Sequence, residues 1–271
     1  MSDSIRDLWD LTGKTAVVIG GSKLLGYDMA AAFAEAGATV VVSSRNAASA
    51  VSAAETLAEK YNVATLGLAV NVQDYASIEN AAADAIAFAG RIDVLVNNAG
   101  GGSGNASGDL LQRPVTVIED MIATNLTGTL LCCKAFGAKM IEQSPSGGAV
   151  INIASIAGLV GRDRRMYSNG GVEQQPIDYA AAKAGVIGLS RDLAAAWAQF
   201  AVRVNSISPG GFGPRQLPNA FADEYATRTP LGRMGIDGQD IKSSALFLAS
   251  EASAYITGHN LVVDGGFSSW R

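Results

Sequence analysis

Two short runs, TAVVI at residues 15–19 and TVVVS at residues 39–43, constrain the fold of this chain more than any other feature. Neither alternates apolar with polar residues, as a strand with one wet face does. Continuous β-branched runs of this length suit parallel strands covered on both faces. Similar short runs recur at 65–70, 93–96, 149–153, 202–206 and 260–263. Longer stretches of helical periodicity lie between them, at 25–36, 47–61, 75–89, 115–142 and 178–200. Strand and helix in alternation call for right-handed crossover connections. The prediction is an α/β fold: one doubly wound domain over residues 1–271, with about seven parallel strands and helices on both faces. No internal repeat, linker or shift of composition divides it. Two stretches read as loops with a task, 100–108 and 158–177.

Composition narrows the classes. With 48% hydrophobic and 17% charged residues the chain can fill a large core and does not have the composition of a disordered segment. A net charge of −5 argues against a nucleic-acid surface, which needs clustered lysine and arginine. The start, MSDSIRD, is polar and acidic, and no apolar run is long enough to span a bilayer. A cytoplasmic protein with no membrane or nucleic-acid partner is the expectation. Cys132 and Cys133 are adjacent in an apolar helical stretch, a spacing that fits neither a disulfide framework nor a zinc site. Inert packing is the expected role, and no metal site is expected. The single histidine, His259, precedes an apolar strand and reads as structural, which removes a Ser-His-Asp account of any serine.

The first run leads into GGSKLLG, Gly20 to Gly26, and then into a helix. Glycine in such a turn lets backbone approach a pyrophosphate, and the helix N-terminus adds N–H donors and a positive dipole. A Rossmann-type dinucleotide site is therefore expected, with Gly20, Ser22, Lys23, Leu25 and Gly26 against the cofactor. Where NAD binders carry an acid after the second strand, this chain has Ser44 and Arg45. An arginine there suits the 2′-phosphate of NADP, and Lys23 adds a second cation. The alternative for Arg45 is the solvated start of the next helix. NADP(H) is the expected cofactor, with NAD(H) as the other option.

Further along, DYAAAK puts Tyr179 and Lys183 four residues apart, on one face of a helix. An ammonium beside a phenol favours the phenolate. At about 4 Å and an effective dielectric near 20 the attraction is roughly 4 kcal/mol before desolvation. Such a tyrosine can pass a proton to or from an alcohol. The same spacing also describes a plain polar stripe, so the surroundings decide.

Those surroundings resemble the short-chain dehydrogenase/reductase family over almost the whole chain. The resemblance is carried in chain order by the glycine turn, by Asn97-Asn98-Ala99-Gly100 and by Asn125 in ATNLTG. It continues with Ser155 in INIASIAG, Tyr179 and Lys183, Pro209-Gly210 after NSIS, and DGG near the C-terminus. The resemblance implies that Tyr179 is the proton donor in reduction and the acceptor in oxidation. Lys183 lowers its pKa and bonds the nicotinamide ribose, Ser155 holds the substrate oxygen, and Asn125 supports a water-linked proton path. Asn98, Ala99 and Gly100 line the adenosine side, Asn71 and Val72 flank the adenine, and Pro209 and Gly210 meet the nicotinamide. The family assembles as dimers or tetramers, here through the helices predicted at 115–142 and 178–200.

Three departures from the family pattern matter. Leu24 stands where the glycine turn has its middle glycine. Its Cβ can crowd the pyrophosphate or bar a backbone that only glycine tolerates; the favoured reading is that Leu24 turns away into helix packing. Second, Ser155 and Tyr179 are 24 residues apart, a long connection that carries Arg162, Arg164 and Arg165. They can clamp a carboxylate, sulfonate or phosphate of a substrate, or form a solvated face. Third, the expected threonine after Pro209-Gly210 is absent from GGFGPRQ, so backbone or Phe212 covers the nicotinamide, and Arg215 adds a cation.

The reading is an NADP-preferring oxidoreductase that interconverts a secondary alcohol and a ketone on a sugar, sugar acid or polyol. Reduction of a 3-oxoacyl thioester on a carrier protein is the alternative. A catalytically weak NADP-binding sensor or structural subunit is the alternative of another class.

Overall fold

The computed structural model of the chain describes residues 4–101, 106–213, 215 and 217–270. Seven parallel strands form one sheet: β1 (Thr15–Ile19), β2 (Thr39–Ser44), β3 (Thr65–Ala69), β4 (Val94–Asn97), β5 (Gly148–Ile153), β6 (Val202–Pro209) and β7 (Asn260–Val263). Their spatial order is β3-β2-β1-β4-β5-β6-β7. The α-helices among the described residues are α1 (Leu24–Glu35), α2 (Ala47–Tyr61), α3 (Tyr75–Ala89), α4 (Val115–Ile122) and α5 (Gly128–Glu142). They continue with α6 (Arg165–Asn169), α7 (Ile177–Trp197), α8 (Asn219–Thr227) and α9 (Lys242–Ala249).

The strand pleat sorts the apolar residues into two cores. Ala16 and Val18 of β1 pack with Met29 and Phe33 of α1, Leu57 of α2 and Leu248 of α9. Val17 and Ile19 face the other way, onto Ile78 of α3, Phe136 and Met140 of α5 and Ala194 of α7. Every residue of β1 is buried, which is why its sequence does not alternate. Helix ends follow local chemistry. The Asn46 side chain accepts from Ser49 N at 2.9 Å to open α2, and Asp74 accepts from Ala76 N at 3.0 Å to open α3. Asn62 and Gly90, both in left-handed backbone, end those two helices.

β1 pairs with β2 on one side and β4 on the other, so the strand order reverses between β1 and β4. The crevice at the carboxyl ends of these strands is where open sheets of this kind bind ligands. The glycine turn leaves β1 there, and Asn98 follows β4.

Several boundaries differ from those predicted. The long helix expected over 115–142 is interrupted by a π-helical turn, Ala123–Thr127, which separates α4 from α5. The connection 158–177 contains α6 and is not all loop. α1 and α7 each begin one residue earlier than expected, and β6 runs on to Pro209. Of the 100–108 loop, residues 102–105 lie outside the described residues. Cys132 and Cys133 are buried in the core, and burial pushes the Cys133 thiol up to about 12. Among the described residues no helix is long and apolar enough to cross a membrane.

Candidate active site

The turn after β1 is held by bonds to two neighbouring strands. Ser43 accepts from Gly20 N through its hydroxyl (3.1 Å) and from Gly21 N through its carbonyl (3.0 Å). The Asn98 side chain donates to Gly20 O at 2.8 Å. A Cβ on Gly20 would stand 2.8 Å from Ala99 Cα, and one on Gly26 would run into Gly20 O and lie 2.5 Å from Asn98 Nδ2. Gly20 and Gly26 therefore have no room for a side chain, packed as they are against Ala99 and Asn98. Lys23, the N-cap of α1, makes no side-chain cap bond, so the first N–H groups of this helix have no side-chain cap.

Leu24 overturns the expectation that it packs into the helix. It is 48% exposed, and its φ of 52° is left-handed. An L-residue in that backbone costs roughly 1–2 kcal/mol. Lys23 and Arg45 are both exposed and make no ion pair with a described residue. Ser22, Lys23, Leu24 and Tyr27 line a cleft of about 620 Å³ with Ser49 and Thr56 of α2. Leu25 is partly buried against the α1 side of the core, and Ser44 is partly buried at the end of β2. The Asn71 carboxamide accepts from Gln73 N at 3.2 Å. Val72 is buried where a Cβ on Gly128 would strike it, so its side chain belongs to the core.

The segment after β4 meets Asn125 and Lys183. A Cβ on Gly100 would lie 2.5 Å from Asn125 Oδ1 and 3.5 Å from Lys183 Nζ. Asn125, 1% exposed, sits in the π-turn, a kind of distortion frequent at functional sites. It accepts from Gly101 N at 3.1 Å and donates to Gly101 O at 3.2 Å and Met121 O at 3.1 Å. Lys183, 4% exposed, donates to Ile153 O at 2.8 Å, which ties α7 to the end of β5. Burial pushes its ammonium down to about 8.

Tyr179 is only partly exposed, and burial pushes its phenol above the ordinary value. The Ser155 hydroxyl, hydrogen-bonded to it, and then the Arg162 guanidinium pull it down, and Tyr167 pushes it up. Lys183 Nζ lies 5.7 Å from the ring centroid, turned to the Ile153 carbonyl. Lys183 is not among the groups that lower the phenol: the downward pull comes from Ser155 and Arg162, and burial outweighs it. Ser155 also accepts from Ala157 N at 3.1 Å, which fixes it at the end of β5.

The long connection is anchored rather than solvated. Met166 and Tyr167 of α6 are buried with Ile156, Phe221, Tyr225 and Phe267. Arg164 donates to Gln175 O at 2.6 Å, and Arg162 donates to Pro176 O at 2.9 Å. Arg165 forms a two-bond pair with Asp163, at 2.9 and 3.0 Å, and Arg215 forms one with Asp237, at 2.8 and 2.6 Å. Each of the four arginines that could clamp an anion has a partner within the protein itself. Of these four arginines, Arg162 keeps one buried donor, Nη1, without a partner among the described residues. Phe212 is buried with its ring against Gly235, which leaves backbone at Pro209–Gly211 facing that end of the crevice. Gly210 N donates to Val263 O at 2.9 Å and Gly211 N to Tyr225 Oη at 2.6 Å. Sequence reasoning missed Arg113, whose Nε lies 2.6 Å from Asp178 Oδ2, next to Tyr179. The only signal was an unexplained acid immediately before that tyrosine.

Comparison with known proteins gives the family and the fold. A family model described as enoyl-(acyl carrier protein) reductase matches residues 21–268. D-threitol dehydrogenase of Mycolicibacterium smegmatis is 38% identical over 263 residues, which cover 95% of this chain and 94% of that protein. A 3-oxoacyl-(acyl-carrier-protein) reductase of Chlamydia trachomatis is 36% identical over 263 residues, 95% of this chain and 98% of that protein. The crystal structure of a gluconate 5-dehydrogenase from Burkholderia cenocepacia in complex with NADP and tartrate is 30% identical. It superimposes with a TM-score of 0.88 over 99% of this chain and 100% of that one.

Two predictions follow from the local geometry. Leu24→Gly removes the left-handed strain and returns part of the gain as chain entropy, so it should stabilise the fold by about 0.5–1 kcal/mol. Urea unfolding checks this; a loss of stability would contradict it. The Lys183 ammonium titrates near 8 in the fold and near 10.5 when unfolded. Between those values the unfolded chain binds more protons, so stability rises with pH. Relative to Lys183→Met, the wild type should gain up to about 3 kcal/mol on going from pH 8 to 10.5. A pH-independent difference would show that burial does not depress the lysine.

Proposed function

Because the chain belongs to the short-chain dehydrogenase/reductase family, we propose that it is an NADP-preferring oxidoreductase. It interconverts a secondary alcohol and a ketone by hydride transfer, on a polyol, sugar or sugar acid. The observation that carries this reading is the meeting of Ser155, Tyr179 and Lys183 at the carboxyl edge of the sheet, together with the glycine turn of Gly20 and Gly26 tied to Asn98.

The nicotinamide nucleotide, when bound, supplies the hydride in reduction and takes it up in oxidation. Its pyrophosphate suits the glycine turn and the open N-terminus of α1, with Ser22, Leu25 and the backbone of Asn71 and Val72 along its length. Ala99 and Gly100 line the adenosine side, and backbone at Pro209, Gly210 and Phe212 covers the nicotinamide end. Lys23 and Arg45, which form no ion pair with a described residue, with Ser44 at the end of β2, suit a 2′-phosphate. In reduction the Tyr179 hydroxyl gives its proton to the carbonyl oxygen as the carbon gains hydride; in oxidation the flow reverses. Ser155 holds that oxygen within reach. Lys183 supplies positive charge below the phenol, and Asn125, locked to Gly101, holds the floor of the site.

Polyols and sugar acids are favoured by the relatives on threitol and gluconate. Arg162, with one spare buried donor and its charge acting on Tyr179, is the part of the arginine cluster suited to an anionic or hydroxylated substrate. Reduction of a 3-oxoacyl thioester is the second reading, favoured by the family model's description and by the Chlamydia relative. It is the weaker one, because an acidic carrier protein calls for a basic docking patch, and Arg165 and Arg215 are neutralised by Asp163 and Asp237. Exposed Val115 of α4, Leu130 of α5 and Ile177 of α7 suit a homo-oligomer.

Tyr179→Phe should lower turnover by at least about 10²-fold with little change in NADPH affinity. A steady-state assay over polyols, sugar acids and oxoacyl thioesters, paired with NADPH fluorescence titration, checks it. Near-normal turnover would remove the acid/base role, and tight NADPH binding without turnover in the wild type would favour a sensor. Arg45→Asp should move cofactor preference toward NAD, and an unaltered NADP/NAD ratio of kcat/KM would place the phosphate contact elsewhere.

A further inference from the structure

The residue before Tyr179 belongs to a fully buried ion pair that the chemistry above does not use. Arg113 lies just ahead of α4, and its side chain is 0% exposed; Asp178, in the first turn of α7, is 3% exposed. Arg113 Nε donates to Asp178 Oδ2 at 2.6 Å, and Nη1 donates to Ser107 O at 2.8 Å. The other carboxylate oxygen, Asp178 Oδ1, accepts from Tyr179 N at 3.0 Å. One guanidinium thus joins the end of the 100–108 loop to the backbone of Tyr179. We propose that Arg113 is a positioning residue: through Asp178 it sets the first turn of α7, and with it the reach of the Tyr179 hydroxyl to Ser155. The proposal rests on the acid/base role assigned to Tyr179.

Three observations lead there. First, α7 has no ordinary N-cap, because its cap residue is Pro176 and makes no side-chain bond. The Asp178 carboxylate takes over part of that task, where a negative group is favourable, and Arg113 decides which way the carboxylate points. Second, the segment leading into α7 is pinned from both sides. Gly108 N donates to the Glu173 carboxylate at 3.0 Å, and a Cβ on Gly108 would run into Gln174 O. From the other side Arg164 and Arg162 hold the carbonyls of Gln175 and Pro176. Ser107 and Gly108, the connection and the start of α7 are therefore tied to one another, and Arg113 is the charged member on the Ser107 side. Third, the pair is not the arrangement that stability alone favours. Two buried charges are often no better than well-packed apolar groups, and Arg113 Nη2 is buried without a partner among the described residues. Geometry is what the pair adds.

The test uses Arg113→Lys, which keeps the charge but cannot hold both Asp178 and Ser107, and the double variant Arg113→Met/Asp178→Asn, which leaves no buried charge unpaired. Each is compared with wild type by ultraviolet difference titration of the Tyr179 phenol, referenced to the same protein carrying Tyr179→Phe. The charged and titratable groups facing that phenol are Arg162, Tyr167 and Lys183, and none of them is altered. Looser reach to Ser155 should shift the phenol upward by about half a unit or more. In NADP-linked turnover kcat should fall about 10- to 100-fold, with NADPH affinity and Tm of the double variant near those of wild type. An unmoved phenol titration with unchanged kcat in both variants would overturn the proposal. Should Tyr179→Phe itself retain turnover, the acid/base reading fails instead, and the two failures are told apart.

Discussion

The carboxyl edge of the sheet is organised around one buried ammonium. Lys183 is almost without solvent contact, so its Nζ needs a protein acceptor, and the Ile153 carbonyl provides it at 2.8 Å. That bond sets α7 against the end of β5, which brings Tyr179 beside Ser155. Beside the same ammonium, a side chain at Gly100 would collide with Asn125 Oδ1, so the chain passes there without one. The cost of this placement appears in the lysine itself, whose affinity for a proton falls toward neutrality. The phenol beside it is raised by burial as well, and Ser155 and Arg162 are the groups that pull it back down.

The long connection between Ser155 and Tyr179 gains a different meaning from the structure. Its arginines suggest an anion clamp when read as a list of charges. In the fold, Arg164 and Arg162 turn inward to the carbonyls of Gln175 and Pro176, and Arg165 closes on Asp163. Asp163 is also reached by Arg228 at 3.4 Å, which links the connection to α8. Tyr167 and Met166 of α6 complete the attachment by packing on Phe221 and Tyr225. The connection is a strap whose cations hold backbone, with Arg162 the one member electrostatically coupled to the phenol.

Much of this was legible in the sequence. Un-alternated runs such as TAVVI identify buried parallel strands, and the order of strands and helices yields the doubly wound sheet. The residues at the site are legible because each lies just past a strand or on one helix face. Three things were not. The π-turn at Ala123–Thr127 leaves the apolar periodicity of residues 115–142 nearly continuous, so no local signal divides α4 from α5. The left-handed backbone of Leu24 is imposed by the turn around it, against the preference of a leucine. The pairing of Arg113 with Asp178 spans 65 residues, and no spacing rule connects positions so far apart. Charges reveal where an ion pair is possible; only the fold reveals which partner each one takes.

The most direct test of this account is the titration of Lys183 itself. Proteins labelled with nitrogen-15 at lysine report each ammonium by nuclear magnetic resonance, and the Lys183 signal is the one missing from Lys183→Met. The account predicts a midpoint near 8 in the cofactor-free protein. A midpoint at the ordinary lysine value near 10.5 would contradict it, because the ammonium would then be neither desolvated nor weakened.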